Sequence, residues 1–245
     1  MFDAYIAVGD SMSIDFYAFN DAVQKGQVCR EAIGAASLLF TNESNIFPEF
    51  AGRDLQTMFS GIQHENICAD GDTCQDVLSN QRLEHLSEKF QDKVLITLTI
   101  GGNDLLLAFR KSTTEGPSAL TNGLEQLQKN YFMVLTKIQK LFPRATLITA
   151  SVYDPTDGTG VLPTGSPLFA GQLPVDYLDQ FNDFVRAISA RRGFLYADIR
   201  KHFVGHGALC GSANNFWYFP PSPIEASYIG SSEIRRVWLD ALSLL

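Results

Sequence analysis

The run Lys93-Val94-Leu95-Ile96-Thr97-Leu98-Thr99-Ile100 constrains this chain more than any other stretch. It is β-rich, largely apolar and without strict alternation, and it stops abruptly at Gly101-Gly102. A strand with one wet face alternates polar and apolar residues, whereas a strand covered on both faces does not. The run therefore predicts a central strand of a parallel sheet. Shorter segments of the same kind are Tyr5 to Val8, His64 to Ala69, Ala145 to Val152 and Gly193 to Ile199.

Helical spacing fills the intervals. Thr121 to Leu141 is the clearest case, with Leu124, Leu127, Tyr131, Val134, Leu135 and Ile138 on one face and Pro143 just beyond. Helices are also predicted over Ala51 to Phe59, Cys74 to Phe90, Val175 to Arg191 and Ser231 to Leu244, the last capped by Ser231 or Ser232. Tyr17 to Ala36 reads as irregular or helical, Asp154 to Pro174 as a long Gly/Pro loop, and residues 200–230 as an irregular segment. No repeat and no linker divides the chain, so a single domain over residues 1–245 is expected. Strands alternating with helices predict an α/β fold, a five-stranded parallel sheet covered on both faces. Right-handed crossovers put every strand's C-terminal end on one edge, where such folds bind ligands. Ser11, Gly71 and Asn103 each follow a different predicted strand, and so converge on that edge.

Composition excludes several functions. With a net charge of -8 and no basic run, nucleic acid and anionic membrane are not expected partners. No stretch of 18 apolar residues predicts a membrane span, and Asp3 without a basic start gives no signal peptide, which points to the cytoplasm, although a secreted chain whose signal has been removed reads the same. Cys29, Cys68, Cys74 and Cys210 are too scattered for a disulfide framework or a metal knuckle.

Acyl transfer needs a nucleophile, a base and donors for a developing oxyanion. Ser11 sits at the turn after the first strand and supplies a hydroxyl; its own N–H, the Gly71 N–H and the Asn103 side-chain amide supply donors. Each residue also has a plainer role. Asp10-Ser11 is an ordinary helix cap, Gly71 an ordinary tight turn, and Asn103 an ordinary Asx turn. Their meeting at one sheet edge favours the chemical reading.

Three blocks carry a resemblance. Gly9-Asp10-Ser11-Met12-Ser13, Asn66 to Thr73 with its Gly71, and Gly101-Gly102-Asn103-Asp104 resemble, in order and spacing, the first three blocks of the GDSL/SGNH hydrolases. The resemblance implies a three-layer α/β/α sandwich of flavodoxin-like type. It also implies hydrolysis of esters, thioesters or O-acyl groups without metal or cofactor. The implied substrate is a small-molecule ester or acylated carbohydrate. Ser11 is then the nucleophile, with Ser11, Gly71 and Asn103 as the oxyanion hole.

The chain departs from the family in the last block, Asp-x-x-His-Pro. Here Ser222-Pro223-Ile224-Glu225-Ala226-Ser227 places Ser222 at the Asp and Glu225 at the His. Three readings stay open. His206, in Gly205-His206-Gly207 beyond the fifth strand, takes over as base with Glu225 orienting it. Alternatively Glu225 is itself the base, its pKa raised by burial among Trp217, Tyr218, Phe219 and Ile224. Or the site binds without turnover. His202 and His206 lie at helical spacing, but no third metal ligand accompanies them.

Other polar residues read as supporting. His64 falls toward the opposite edge, His85 lies mid-helix, and Asp104 caps the segment after its strand. Asp154 and Asp198 read as loop anchors or as support to the site. Phe203, Phe216, Trp217, Tyr218 and Phe219 either cover the sheet edge or wall an acyl pocket. The Asp154 to Pro174 loop, with Gly158, Gly160, Gly165 and Gly171, has the composition of a lid.

Overall fold

Five strands form the parallel sheet: β1 (Ala4–Gly9), β2 (Gln63–Asn66), β3 (Val94–Thr99), β4 (Thr146–Ala150) and β5 (Leu195–Ala197), in spatial order β2-β1-β3-β4-β5. That is the flavodoxin-like order, in which the strand sequence reverses beside β1. The structure is a computed structural model and describes residues 2–162 and 172–243. Every residue of β1 and β3 is buried, as their apolar runs require. Register is continuous from Ala4↔Val94 to Gly9↔Thr99 between β1 and β3. The α/β class and the five-stranded parallel sheet flanked by helices agree with the sequence reading.

The chain divides into two compact units, each drawn from three segments: Met1–Ser11, Gln63–Val152 and Asp176–Tyr196 in the first, Met12–Ile62, Tyr153–Val175 and Ala197–Leu245 in the second.

The first unit carries most of the sheet, with helices α4 (Cys74–Ser79), α5 (Arg82–Lys89), α6 (Gly102–Glu115), α7 (Ser118–Leu141) and α8 (Val175–Arg192). The face of α7 predicted to be apolar is the face buried, and Tyr131 packs edge-on to Phe181 of α8. With 24 residues α7 is roughly 36 Å long, whereas the six residues of β3 span roughly 20 Å. Since α7 leads back to the start of β4, its first half overhangs the C-terminal edge of the sheet. It runs there beside α6, with Gly123 against Ala108.

Three sequence expectations need correcting here. The helix expected over Cys74 to Phe90 is two, because Asn80 takes an extended conformation and ends α4. The helix α6 was not foreseen; its apolar residues are bunched at Leu105 to Phe109 instead of recurring at helical spacing, and only Leu105 and Ala108 are buried. The second and fifth strands are shorter than predicted, at Gln63–Asn66 and Leu195–Ala197.

The second unit contains α1 (Phe16–Gln24), α2 (Ala35–Phe40), α3 (Leu55–Met58), α9 (Ile199–His202), α10 (Tyr228–Leu242) and an antiparallel hairpin of β6 (Tyr218–Phe219) and β7 (Ser222–Ala226). Helix α10 starts earlier than predicted. Its cap is Ser227, whose Oγ accepts the Gly230 N–H at 3.0 Å, not Ser231 or Ser232. The helix expected over Ala51 to Phe59 shrinks to a single turn, capped by Asp54 through the Thr57 N–H. Arg235 of α10 is fully buried, its guanidinium 3.7 Å from the Phe50 ring centre and bonded to Asn42 and Ser232. Burial lowers its pKa to about 9.

Residues 200–230 are more ordered than the sequence suggested. Phe203, Tyr218 and Phe219 are buried, and Tyr153, Phe203 and Tyr218 pack ring on ring. These aromatics are core of the second unit. The described part of the Asp154 to Pro174 loop is also tied down, because the Asp154 carboxylate accepts the Thr156 and Gly158 N–H groups and pairs with Arg200. Residues 163–171, with Gly165 and Gly171, lie outside the described residues. No helix among the described residues is long and apolar enough to cross a membrane.

Candidate active site

Ser11, Gly71 and Asn103 lie in the first unit, past the ends of the neighbouring strands β1, β2 and β3. β1 closes on Gly9, where any Cβ would collide with the Thr99 carbonyl; only glycine permits so close an approach to β3. The Asp10 N–H then donates to the Thr99 carbonyl at 2.8 Å, and Ser11, partly exposed, opens a 3-10 turn over Ser11–Ser13.

Gly71 occupies a tight turn closed by the Asp72 N–H on the Ala69 carbonyl at 3.3 Å. Its φ of +78° is the left-handed value that the third position of a type II turn requires. The turn is fastened to β1 by the Ala69 N–H on the Gly9 carbonyl. Among the described residues nothing accepts the Gly71 N–H, and a Cβ on Gly71 would meet nothing within 4 Å. Asn103 approaches from the first turn of α6 and donates one Nδ2 hydrogen to the Asp72 carbonyl at 2.9 Å. A primary amide has a second such hydrogen, which leaves a donor for a ligand. Gly71 is thus both the tight turn of the plain reading and an open amide beside Asn103.

Asp104 accepts its own N–H in the first turn of α6 and also reaches out of that segment. Its Oδ2 accepts the Cys74 N–H at 3.0 Å and so caps α4, across the loop from Gly71. Burial pushes the Asp104 carboxyl up to about 6, opposed by the hydrogen bonds from Cys74. Burial first, and then the Asp104 charge, push the Cys74 thiol far up, so it is inert. None of the four cysteines is in a disulfide. A cavity of about 440 Å³ opens beside this loop, between α6 and the overhanging half of α7, and Thr73 and Asp104 border it.

His206 and Glu225 belong to the second unit. The loop bearing His206 is clamped by a residue that sequence reasoning missed. Asp157, itself at φ +50°, accepts the N–H groups of Gly205 at 2.9 Å, Gly207 at 3.0 Å and Leu209 at 2.7 Å. The only sequence hint was a Gly-rich neighbourhood on both sides. The His206 ring stacks on Trp217 with centres 3.4 Å apart, and Nδ1 bonds the Asn215 carbonyl at 2.9 Å. A carbonyl only accepts, so Nδ1 carries the hydrogen and neutral His206 keeps Nε2 as an acceptor. The group orienting Nδ1 is therefore a backbone carbonyl, not the Glu225 carboxylate. Glu225 is buried on β7, two residues before the α10 cap.

The remaining polar residues are structural. His202 is paired with Glu233 at 2.8 Å, and no metal-holding group of three or more His, Cys, Asp or Glu occurs among the described residues. His64 stacks on Tyr5, and burial lowers its pKa to about 4. Asp198 caps α9 through the Lys201 N–H.

A reversed strand order beside β1, with a serine and two amide donors at the strand ends, defines a flavodoxin-like α/β protein with a candidate site at that edge. Residues 7–213 match the GDSL-like lipase/acylhydrolase family, and the chain belongs to it. Membership places it among hydrolases acting on esters. Solved structures share the fold across nearly the whole chain. An extracellular lipase from Streptomyces rimosus is 20% identical with a TM-score of 0.58, covering 98% of each chain. An acetylxylan esterase from Geobacillus stearothermophilus is 15% identical with a TM-score of 0.62, covering 98% of this chain and 94% of its own. A phospholipase A1 from Streptomyces albidoflavus is 16% identical with a TM-score of 0.58, covering 100% of this chain and 99% of its own. No curated protein matches the sequence.

Proposed function

We propose that this chain is a serine esterase or O-deacylase working through an acyl-enzyme on Ser11. The observation that carries this is the open Gly71 amide, fastened beside the Asn103 side chain at the ends of β2 and β3. The Ser11 Oγ attacks the ester carbon while its proton passes to a base. The carbonyl oxygen becomes an oxyanion, stabilised by the N–H groups of Ser11 and Gly71 and by the second Nδ2 hydrogen of Asn103. The alcohol leaves with the proton, and water releases the acid by the same route in reverse.

His206 is the base in this reading. Its support is the tautomer fixed at Nδ1 by the Asn215 carbonyl, which keeps Nε2 as the proton acceptor. Glu225 stays the second choice, supported by its burial and its position just before α10.

The cavity beside the Gly71 loop is bordered by Thr73 and Asp104, not by Ser11, Gly71 or Asn103, so its bearing is on the body of the substrate rather than on the ester. Asn122, Gln126 and Asn130 line it from one face of α7, facing Leu107 and Lys111 of α6. Amides over a partly apolar floor suit a hydroxylated body such as an acylated carbohydrate better than a long acyl chain.

Hydrolysis of p-nitrophenyl acetate and butyrate by wild type, Ser11→Ala, His206→Ala and Glu225→Gln, across pH, tests the assignment. Loss of activity in Ser11→Ala and His206→Ala is expected. Loss in Glu225→Gln with His206→Ala active moves the base to Glu225. Failure of the wild type on these esters and on acetylated oligosaccharides favours a binding module without turnover.

A further inference from the structure

Asn103 and Asp104 are adjacent at the start of α6, and both reach the same three-residue stretch, Asp72 to Cys74. Asn103 holds its first carbonyl at 2.9 Å, and Asp104 holds its last N–H at 3.0 Å. Upstream, the Gly71 turn is fixed to β1 through Ala69 and Gly9. Downstream, Thr73 is stapled into α4 by its reciprocal bonds with Asp76. The two bonds from α6 are therefore what sets Gly71 relative to Asn103.

We propose that Asp104 is a positioning residue: by holding the Cys74 N–H it fixes the Gly71 amide against the Asn103 amide, so that the two donors point at one oxyanion. The role rests on the esterase reading above, in which those donors stabilise the transition state. In it Asp104 borders the cavity but contacts none of the reacting atoms. Without Asp104 the Asn103 amide alone would tie the loop to α6, and the same side chain must also serve the oxyanion.

The strap is sensitive to pH. A carboxylate accepts an N–H more strongly than a neutral carboxyl does. Asp104 changes between these forms near pH 6, because burial favours the neutral one. The ionisable groups around it are the buried Cys74 thiol, Asp76 on α4, Asp72 within the strapped stretch, whose carboxyl burial and then Asp76 push up, Asp10 beyond β1, Tyr131 of α7 near Cys74, and Lys111 and Glu115 across the cavity. Asp76 is held below the ordinary carboxylate range by Thr73, and Tyr131 well above its ordinary range by burial, so neither titrates near 6.

The test follows backbone amide resonances of Gly71 and Cys74 by NMR from pH 4 to 8, beside steady-state kinetics, in wild type, Asp104→Asn and Asp104→Ala. In the wild type both amides are expected to shift together with a midpoint near 6; in Asp104→Asn that step disappears. Asp104→Ala is expected to lower kcat about 10- to 100-fold with KM within about twofold, since an oxyanion hole acts in the transition state. Asp104→Asn, which keeps an accepting oxygen, recovers most of that loss. A Gly71 amide that still shifts near pH 6 in Asp104→Asn, or wild-type kcat in a folded Asp104→Ala, overturns the proposal. Absence of turnover in every protein counts against the esterase reading alone, because the amide titration reads the strap without it.

Discussion

Gly71 answers two demands with one missing side chain. The turn needs φ of +78°, and the space before the amide is open. An alanine there meets no atom within 4 Å, so its cost is the backbone strain alone, about 1–2 kcal/mol. Relief of that strain rotates the amide away from Asn103. Gly71→Ala is therefore expected to fold with a modestly lowered melting temperature while kcat falls by about 100-fold, the scale of losing one oxyanion donor. Thermal melting by circular dichroism and kcat on p-nitrophenyl acetate read the two effects separately. A folded variant with unchanged kcat removes Gly71 from the site. Residues of this kind were legible in the sequence because each stands where a run of apolar residues stops. Asp104 was seen as a cap of its own segment, but its second bond, 30 positions back to Cys74, was not legible.

At the scale of elements, strands and long helices were readable and the joints between them were not. The sides of α7 and the burial of β3 follow from side-chain periodicity. Where a helix starts depends on which serine caps it, and Ser227, Ser231 and Ser232 are equivalent on sequence alone. The hairpin of β6 and β7 was hidden because its strands are short and β7 contains a proline, and Tyr218 is core through contacts with Phe203 and with Tyr153, far away in sequence. The loop holding His206 has no regular structure, so its order comes from the Asp157 carboxylate accepting three N–H groups. Asp157→Ala is expected to leave those amides without their acceptor and to mobilise His206. Hydrogen exchange at Gly205, Gly207 and Leu209 should quicken, and ester turnover should fall about tenfold or more if His206 is the base. Faster exchange with full turnover transfers the base role away from His206.

At the scale of the whole molecule, family membership and fold rest on the chain as a whole, while the choice of base rests on a few residues of the second unit. The sequence reading puts Ser222 and Glu225 where the family resemblance implies Asp and His, and there the resemblance stops carrying chemistry. The nucleophile is upstream of that question, since acylation of Ser11 is common to every esterase variant of the account. The most direct measurement is therefore labelling of the intact protein with a fluorophosphonate, followed by peptide mass spectrometry, in wild type and Ser11→Ala. The account predicts one equivalent of label, carried on the peptide containing Ser11 and absent from Ser11→Ala. Label on another residue, or equal labelling and equal ester turnover in Ser11→Ala, contradicts it.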